Sequence, residues 1–220
     1  THTLSYGVIS TGGMANSCTA GYWAGGWAYT TGWQNYNSIS QYTFASDSSS
    51  TLLVNLSVGR YNAAGFANGG TAGYWAGGGV VTGSKQTVVD KFIFAASTIS
   101  ALGTGLSLAA RYSSGMANSG TAGYVAIGYD TAPSAAVDKF AFSDDSRSTL
   151  GTGLSSARYA GGAFADSGVA GYQGSGTTAG GSVTTVDKFS FADDSRTTLA
   201  IGVSTAAQFS AGWANSAALA

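Results

Sequence analysis

The stretch Ala20-Gly21-Tyr22-Trp23-Ala24-Gly25-Gly26 returns letter for letter as Ala72-Gly73-Tyr74-Trp75-Ala76-Gly77-Gly78, and more loosely at Ala122 to Gly128 and Ala170 to Gly176. Three further anchors keep the same spacing. Upstream stand Met14-Ala15-Asn16, Phe66-Ala67-Asn68, Met116-Ala117-Asn118, Phe164-Ala165-Asp166 and Trp213-Ala214-Asn215. Downstream, Val89-Asp90-Lys91-Phe92-Ile93-Phe94 is repeated at Val137 to Phe142 and Val186 to Phe191, whereas the first copy, Ser40 to Phe44, lacks the Asp-Lys pair. A Thr-Leu and Gly-Leu-Ser segment closes the unit, as in Thr149-Leu150-Gly151-Thr152-Gly153-Leu154-Ser155.

A unit of about 49 residues holding four short apolar or alternating runs, parted by Gly, Ser, Asn or Asp turns, has the size of one four-stranded propeller blade. A β-solenoid coil is shorter, roughly 20–30 residues, and a helical repeat needs a helical periodicity that is absent. Val-Asp-Lys-Phe-x-Phe alternates like a strand with one buried face: Val137, Lys139 and Ala141 on one side, Asp138, Phe140 and Phe142 on the other. The expected fold is an all-β propeller in a single domain over 1–220. Its units run approximately 1–52, 53–102, 103–150 and 151–200, with a partial fifth at 201–220. The lone strand of that fifth unit, near Gly212 to Ala217, leaves an unpaired edge. A longer polypeptide, or completion by another subunit, is therefore expected.

Leu154-Ser155-Ser156-Ala157-Arg158-Tyr159, followed by an apolar strand and then Ala170-Gly171-Tyr172 with its glycine-rich end, resembles the kelch repeat. Gly25-Gly26 and Gly77-Gly78 match that family's Gly-Gly doublet, and Gly128 and Gly176 keep one glycine of it. Arg60, Arg111 and Arg158 are taken to match its loop arginine. The family's later Trp is replaced by Leu52, Leu150 and Leu199, and by the divergent Ile99 to Leu102 in the remaining unit. Kelch-like arrays of this Asp-Lys-Phe type are similar to those of bacteriophage structural and tail proteins.

Composition removes several functional classes. Charged residues are only 9% of the chain, every acid is Asp, and the net charge is -1. The basic footprint of a nucleic-acid binder is missing, so no nucleic-acid partner is expected. No run approaches the roughly 18 apolar residues of a membrane helix, so no membrane insertion is expected, and no signal-peptide pattern is visible from Thr1, where a removed one would leave no trace. With one His and one Cys, His2 and Cys18, the chain lacks the usual donors of zinc or copper sites. Some kelch-like propellers are copper oxidases, and a single His departs from that pattern. Neither a metal nor a cofactor is expected.

The pairs Asp144-Asp145 and Asp193-Asp194 sit in copied Phe-x-Asp-Asp-Ser-Arg turns. Adjacent carboxylates do not face one another for acid–base work. Asx turns, with the nearby Arg147 and Arg196 as ion partners, are expected instead. Gly83-Ser84-Lys85 has neither the order nor the helix of a phosphate loop.

What departs from the repeat is the first unit. Between Gly26 and Asn37 it concentrates Trp27, Tyr29, Trp33, Asn35 and Tyr36 in an expected inter-strand loop. Aromatic faces bordered by amides suit sugar stacking with hydrogen bonds to hydroxyls, and equally suit protein contacts; they also suit a cap over the core. Loops carry function where a scaffold repeats. The expected function is a non-enzymatic binding or adhesion module, extracellular or on a virion surface, whose partners are protein subunits or a surface glycan. The alternative is a self-associating structural subunit, and an enzyme is the least favoured class.

Overall fold

The computed structural model describes residues 9–208, so the fifth-unit strand expected near Gly212 lies outside the described residues, as does His2. The described residues contain no helix. They form four four-stranded antiparallel sheets, and this arrangement fits the expected propeller.

Each sheet is cut from about one repeat. The first uses Gly12–Asn16, Ala20–Ala24, Ser38–Thr43 and Ser48–Asn55; the second Ala64–Asn68, Ala72–Ala76, Val89–Ile93 and Thr98–Ala101. The third uses Ser114–Asn118, Ala122–Ala126, Val137–Ala141 and Arg147–Thr149; the fourth Gly162–Asp166, Ala170–Gly174, Val186–Ser190 and Arg196–Thr198. Strand order follows chain order within every sheet, so each is a simple meander. Register repeats as well: Trp23 opposes Ser40, and Trp75, Val125 and Gln173 oppose Asp90, Asp138 and Asp187.

The sheets stack through their first strands. Here close approach of backbones dictates the sequence. A Cβ on Gly65 would lie 2.1 Å from the carbonyl oxygen of Gly13, and one on Gly115 2.4 Å from that of Gly65. Those contacts are backbone on backbone, so glycine is required. Just before these strands, Ser10, Asn62, Tyr112 and Ala160 all take left-handed φ of 54–64°. The Asn62 amide donates to Ser10 O, Tyr112 to Asn62 O, and Ala160 to Tyr112 O. At the other end, Asn16, Asn68 and Asn118 Oδ1 accept from Gly70, Gly120 and Gly168 N at 3.0, 2.8 and 2.9 Å. One ladder at each end therefore fastens every sheet to the next.

The core consists of three slices between neighbouring sheets. Tyr22, Ile39, Trp75, Phe92 and Phe94 fill the first, Phe66, Tyr74, Val125, Phe140 and Phe142 the second, and Met116, Tyr124, Val137, Phe189 and Phe191 the third. Each fully buried large side chain contributes about 1.5–3 kcal/mol. Because slices lie on both faces, the alternating reading of Val137 to Phe142 needs correction. Val137 and Asp138 are both buried, and Ala72–Ala76 and Ala122–Ala126 are buried at every residue. An inner strand of a stacked array has no solvent face.

The buried polar groups form a second repeat. Arg60 meets Asp90 at 2.8 Å and Arg158 meets Asp187 at 2.8 Å, with all four side chains at 0% exposure. The kelch-type assignment of Arg111 to this slot is off by one. Counting from Leu56, Leu106 and Leu154 puts Ala110 opposite Arg60 and Arg158, and the main chain agrees: Gly26 N bonds Arg60 O as Gly78 N bonds Ala110 O. Buried Asp138 therefore lacks that arginine. It accepts from Ser107 N at 2.7 Å and Thr149 Oγ1 at 2.6 Å, with Arg147 at 3.6 Å.

The Asp-Asp turns are also partly corrected. Asp144 and Asp193 accept from Ser146 and Ser195 N, as Asx turns do. Their carboxyls are held below the ordinary value chiefly by the Ser146 side chain and by Ser190 and Ser195. Arg147 and Arg196, however, turn to buried Asp138 and Asp187. Asp145 and Asp194 instead take Lys91 and Lys139 of the preceding sheet.

Candidate functional site

Trp27–Tyr29 and Trp33–Asn35 form a small two-stranded hairpin between the second and third strands of the first sheet. Its register sets Trp27 opposite Asn35 and Tyr29 opposite Trp33. The hairpin is fixed at its base, where Gly26 N donates to Arg60 O at 2.7 Å and Tyr36 N to Gly26 O at 2.9 Å. Trp27 stacks on Trp33 with ring centres 4.1 Å apart, and Tyr29 meets Trp33 edge-on at 5.2 Å. Tyr29 is 66% exposed and Trp33 52%. Asn35 is half-buried opposite Trp27, and Tyr36 is held by main-chain bonds at the hairpin base. Of the five residues singled out in the sequence, the structure thus gathers three into a stacked aromatic group.

The group continues beyond the hairpin, through residues of the other sheets. Trp27 stacks on Tyr61 at 5.3 Å. Arg111 donates to the Tyr61 hydroxyl at 2.7 Å and lies 5.0 Å over the Tyr112 ring. Tyr159 then contacts both Tyr112, at 5.7 Å, and Tyr129, at 5.1 Å. A hollow of about 280 Å³ is lined by Arg111, Tyr112, Tyr129, Tyr159 and Gln208. Equivalent bridges explain the alignment: Ile9 pairs with Trp27, Tyr61 with Gly79, Arg111 with Tyr129, and Tyr159 with Thr177. Each sheet contributes one such pair at the same end of the stack. Counted from the recurring Leu56, Leu106 and Leu154, Arg111 is an arginine in the slot that Tyr61 and Tyr159 fill.

The strip also holds unanswered polar atoms. Trp27 Nε1, Asn35 Oδ1 and Arg111 Nε are buried with no hydrogen-bond partner. A donor and an acceptor sit on a register pair, with a guanidinium further along. Buried polar atoms of this kind carry a desolvation cost. Cys18 lies apart, free and exposed, in the turn between the first two strands. Among the described residues, no group of three or more His, Cys, Asp or Glu side chains is placed to hold a metal ion.

No family model matches the chain, and no curated protein matches it. A solved structure described as "Structure of YjhT" superposes with a TM-score of 0.76 at 11% identity, over 94% of this chain and 74% of that one. At that identity the likeness concerns the fold.

Proposed function

We propose that the chain is a kelch-like β-propeller acting as a non-enzymatic binding module, with a glycan as ligand on the aromatic strip from Trp33 to Tyr159. The supporting observation is exposed Trp33 stacked on half-buried Trp27, with the stack running on into Tyr61 and Arg111 at one end of the sheets. Flat aromatic faces such as that of exposed Trp33 receive the apolar side of a sugar ring, while Arg111, in the lining of the hollow, supplies directional bonds to hydroxyls. Such sites characteristically pair apolar walls with a few fixed polar groups. A setting outside the cell, or on a virion surface, is where this module would meet a glycan.

The test is a glycan array followed by titration calorimetry on the strongest hit. Trp33→Ala is expected to weaken binding at least tenfold with the β-spectrum unchanged, and Arg111→Gln to do the same. An array with no hit, or a hit indifferent to both substitutions, would remove the glycan reading.

A further inference from the structure

The three internal boundaries between sheets share one construction. A side chain on the first strand of each sheet covers a glycine on the second strand of the next. Met14 covers Gly73, Phe66 covers Gly123 and Met116 covers Gly171, so closely that a Cβ there would lie 2.1, 2.2 and 2.4 Å from the covering group. A cation and a phenol on one sheet also reach the Asp-Asp turn of the next. Lys91 and Tyr74 meet Asp145 at 2.7 and 2.9 Å, and Lys139 and Tyr124 meet Asp194 at 2.6 and 2.8 Å. At the first boundary the same two positions are Gln41 and Ser97, both uncharged. Cation and acid are present together or absent together.

The two outer faces carry the halves of a fourth boundary. On the fourth sheet, Phe164 is 43% exposed and stacks on Tyr172, and Lys188 lies over that ring with no carboxylate partner among the described residues. On the first sheet, the groups nearest a Cβ on Gly21 are Phe44 and Trp23 of its own sheet, at 3.6 and 3.7 Å, and Trp23 and Phe44 are 46% and 43% exposed. Their equivalents Trp75 and Phe94 are 0% and 8% exposed, covered by the preceding sheet. Asp47 occupies the left-handed turn position of Asp145 and Asp194, with φ of 48° beside their 57° and 58°.

We infer that the first sheet of a second copy of this chain seats on the fourth sheet, with Phe164 over the partner's Gly21 and Lys188 and Tyr172 on the partner's Asp47. Charge complementarity argues for the occupant: Asp47 accepts from the Tyr42 hydroxyl at 3.1 Å but has no cation partner among the described residues, so it and Lys188 are the acid and cation that the other boundaries would pair. The end ladder extends the same way: Asp166 stands where Asn16, Asn68 and Asn118 accept, and Cys18 where Gly70, Gly120 and Gly168 donate. Such a contact is head-to-tail, so it either closes into a ring or runs on as a filament. Two copies joined at both ends make a ring of eight sheets, inside the range of about four to eight blades seen in propellers.

Sedimentation velocity over a concentration series tests this, with Asp47→Lys, Lys188→Asp and the double exchange. The full chain is expected to associate, each single exchange to weaken association at least tenfold by opposing like charges, and the double exchange to restore it. Circular dichroism checks that each variant is folded. An independent readout is Asp166→Cys, which is expected to form covalent dimers with native Cys18 on oxidation. A chain that stays monomeric at every concentration overturns the inference. So does association that ignores both single exchanges, or an Asp166→Cys variant that associates without cross-linking to Cys18. Trp33→Ala leaves these readouts unchanged, so this result and the glycan result stand or fall separately.

Discussion

Arg60 Nη1 lies 2.8 Å from Asp90 Oδ2, the guanidinium coming from the loop that precedes the second sheet and the carboxylate from that sheet's third strand. The same arginine donates to Trp75 O at 2.9 Å and to Val58 O at 3.2 Å. It therefore ties the connection between two sheets to the middle of the second. Burial lowers the Arg60 pKa, opposed by the charge and hydrogen bond of Asp90. Arg60→Met is expected to cost roughly 3–5 kcal/mol by leaving Asp90 buried and unpaired, and Arg60→Met with Asp90→Leu to recover most of it. Urea unfolding of the two variants checks the order.

Asp138 and Asp187 occupy equivalent positions with different support. Thr198 shares Asp187 with Arg158, whereas Thr149 holds Asp138 with no buried arginine opposite. Thr149→Val is expected to destabilise by about 1.5–3 kcal/mol, the range for a bond to a charged group, and Thr198→Val by less. Equal losses in thermal melts would contradict this account.

The contact of Gly65 with Gly13 is backbone against backbone. Gly65→Ala should therefore force the first two sheets apart and cost at least about 1–3 kcal/mol. Gly103→Ala, where a Cβ meets nothing within 4 Å and φ is ordinary, should change stability by less than about 0.5 kcal/mol. Paired denaturation curves make the comparison.

Acid should loosen the fourth sheet. Burial works against the Asp187 charge, yet bonds from Ser155 and Thr198 and the Arg158 charge leave its pKa below the ordinary value. The folded chain then binds fewer protons than the unfolded one. The resulting stabilisation is complete above about pH 4 and is lost as pH falls through the folded-state value. Asp187→Asn is expected to be less stable at neutral pH, with a melting temperature that falls less steeply below pH 4. Parallel slopes for the two proteins would remove this role.

The architecture was legible because the contacts that make it are made by residues that must recur. Gly13, Gly65 and Gly115 allow the backbones to touch, and the Val-Asp-Lys-Phe strands supply a buried rib to each slice. What escaped the sequence joins different units. Lys91 and Asp145 are 54 positions apart, and no local pattern declares them partners. The slip at Arg111 came from matching residue type rather than counting from Leu106. The aromatic hairpin stood out by departing from the repeat, but its extension through Tyr61, Arg111 and Tyr159 required the fold, since each residue arrives from a different sheet.

The ladders running through Ser10, Asn62, Tyr112 and Ala160, and through Asn16, Asn68 and Asn118, fasten each sheet only to its neighbours. An array coupled in this way has a nearest-neighbour stability. Pulled from its two ends in an optical trap, such a molecule yields in steps, one sheet's length of chain at a time. In a single copy the outer sheets let go first, because among the described residues each is gripped on one side, and the second and third hold longest.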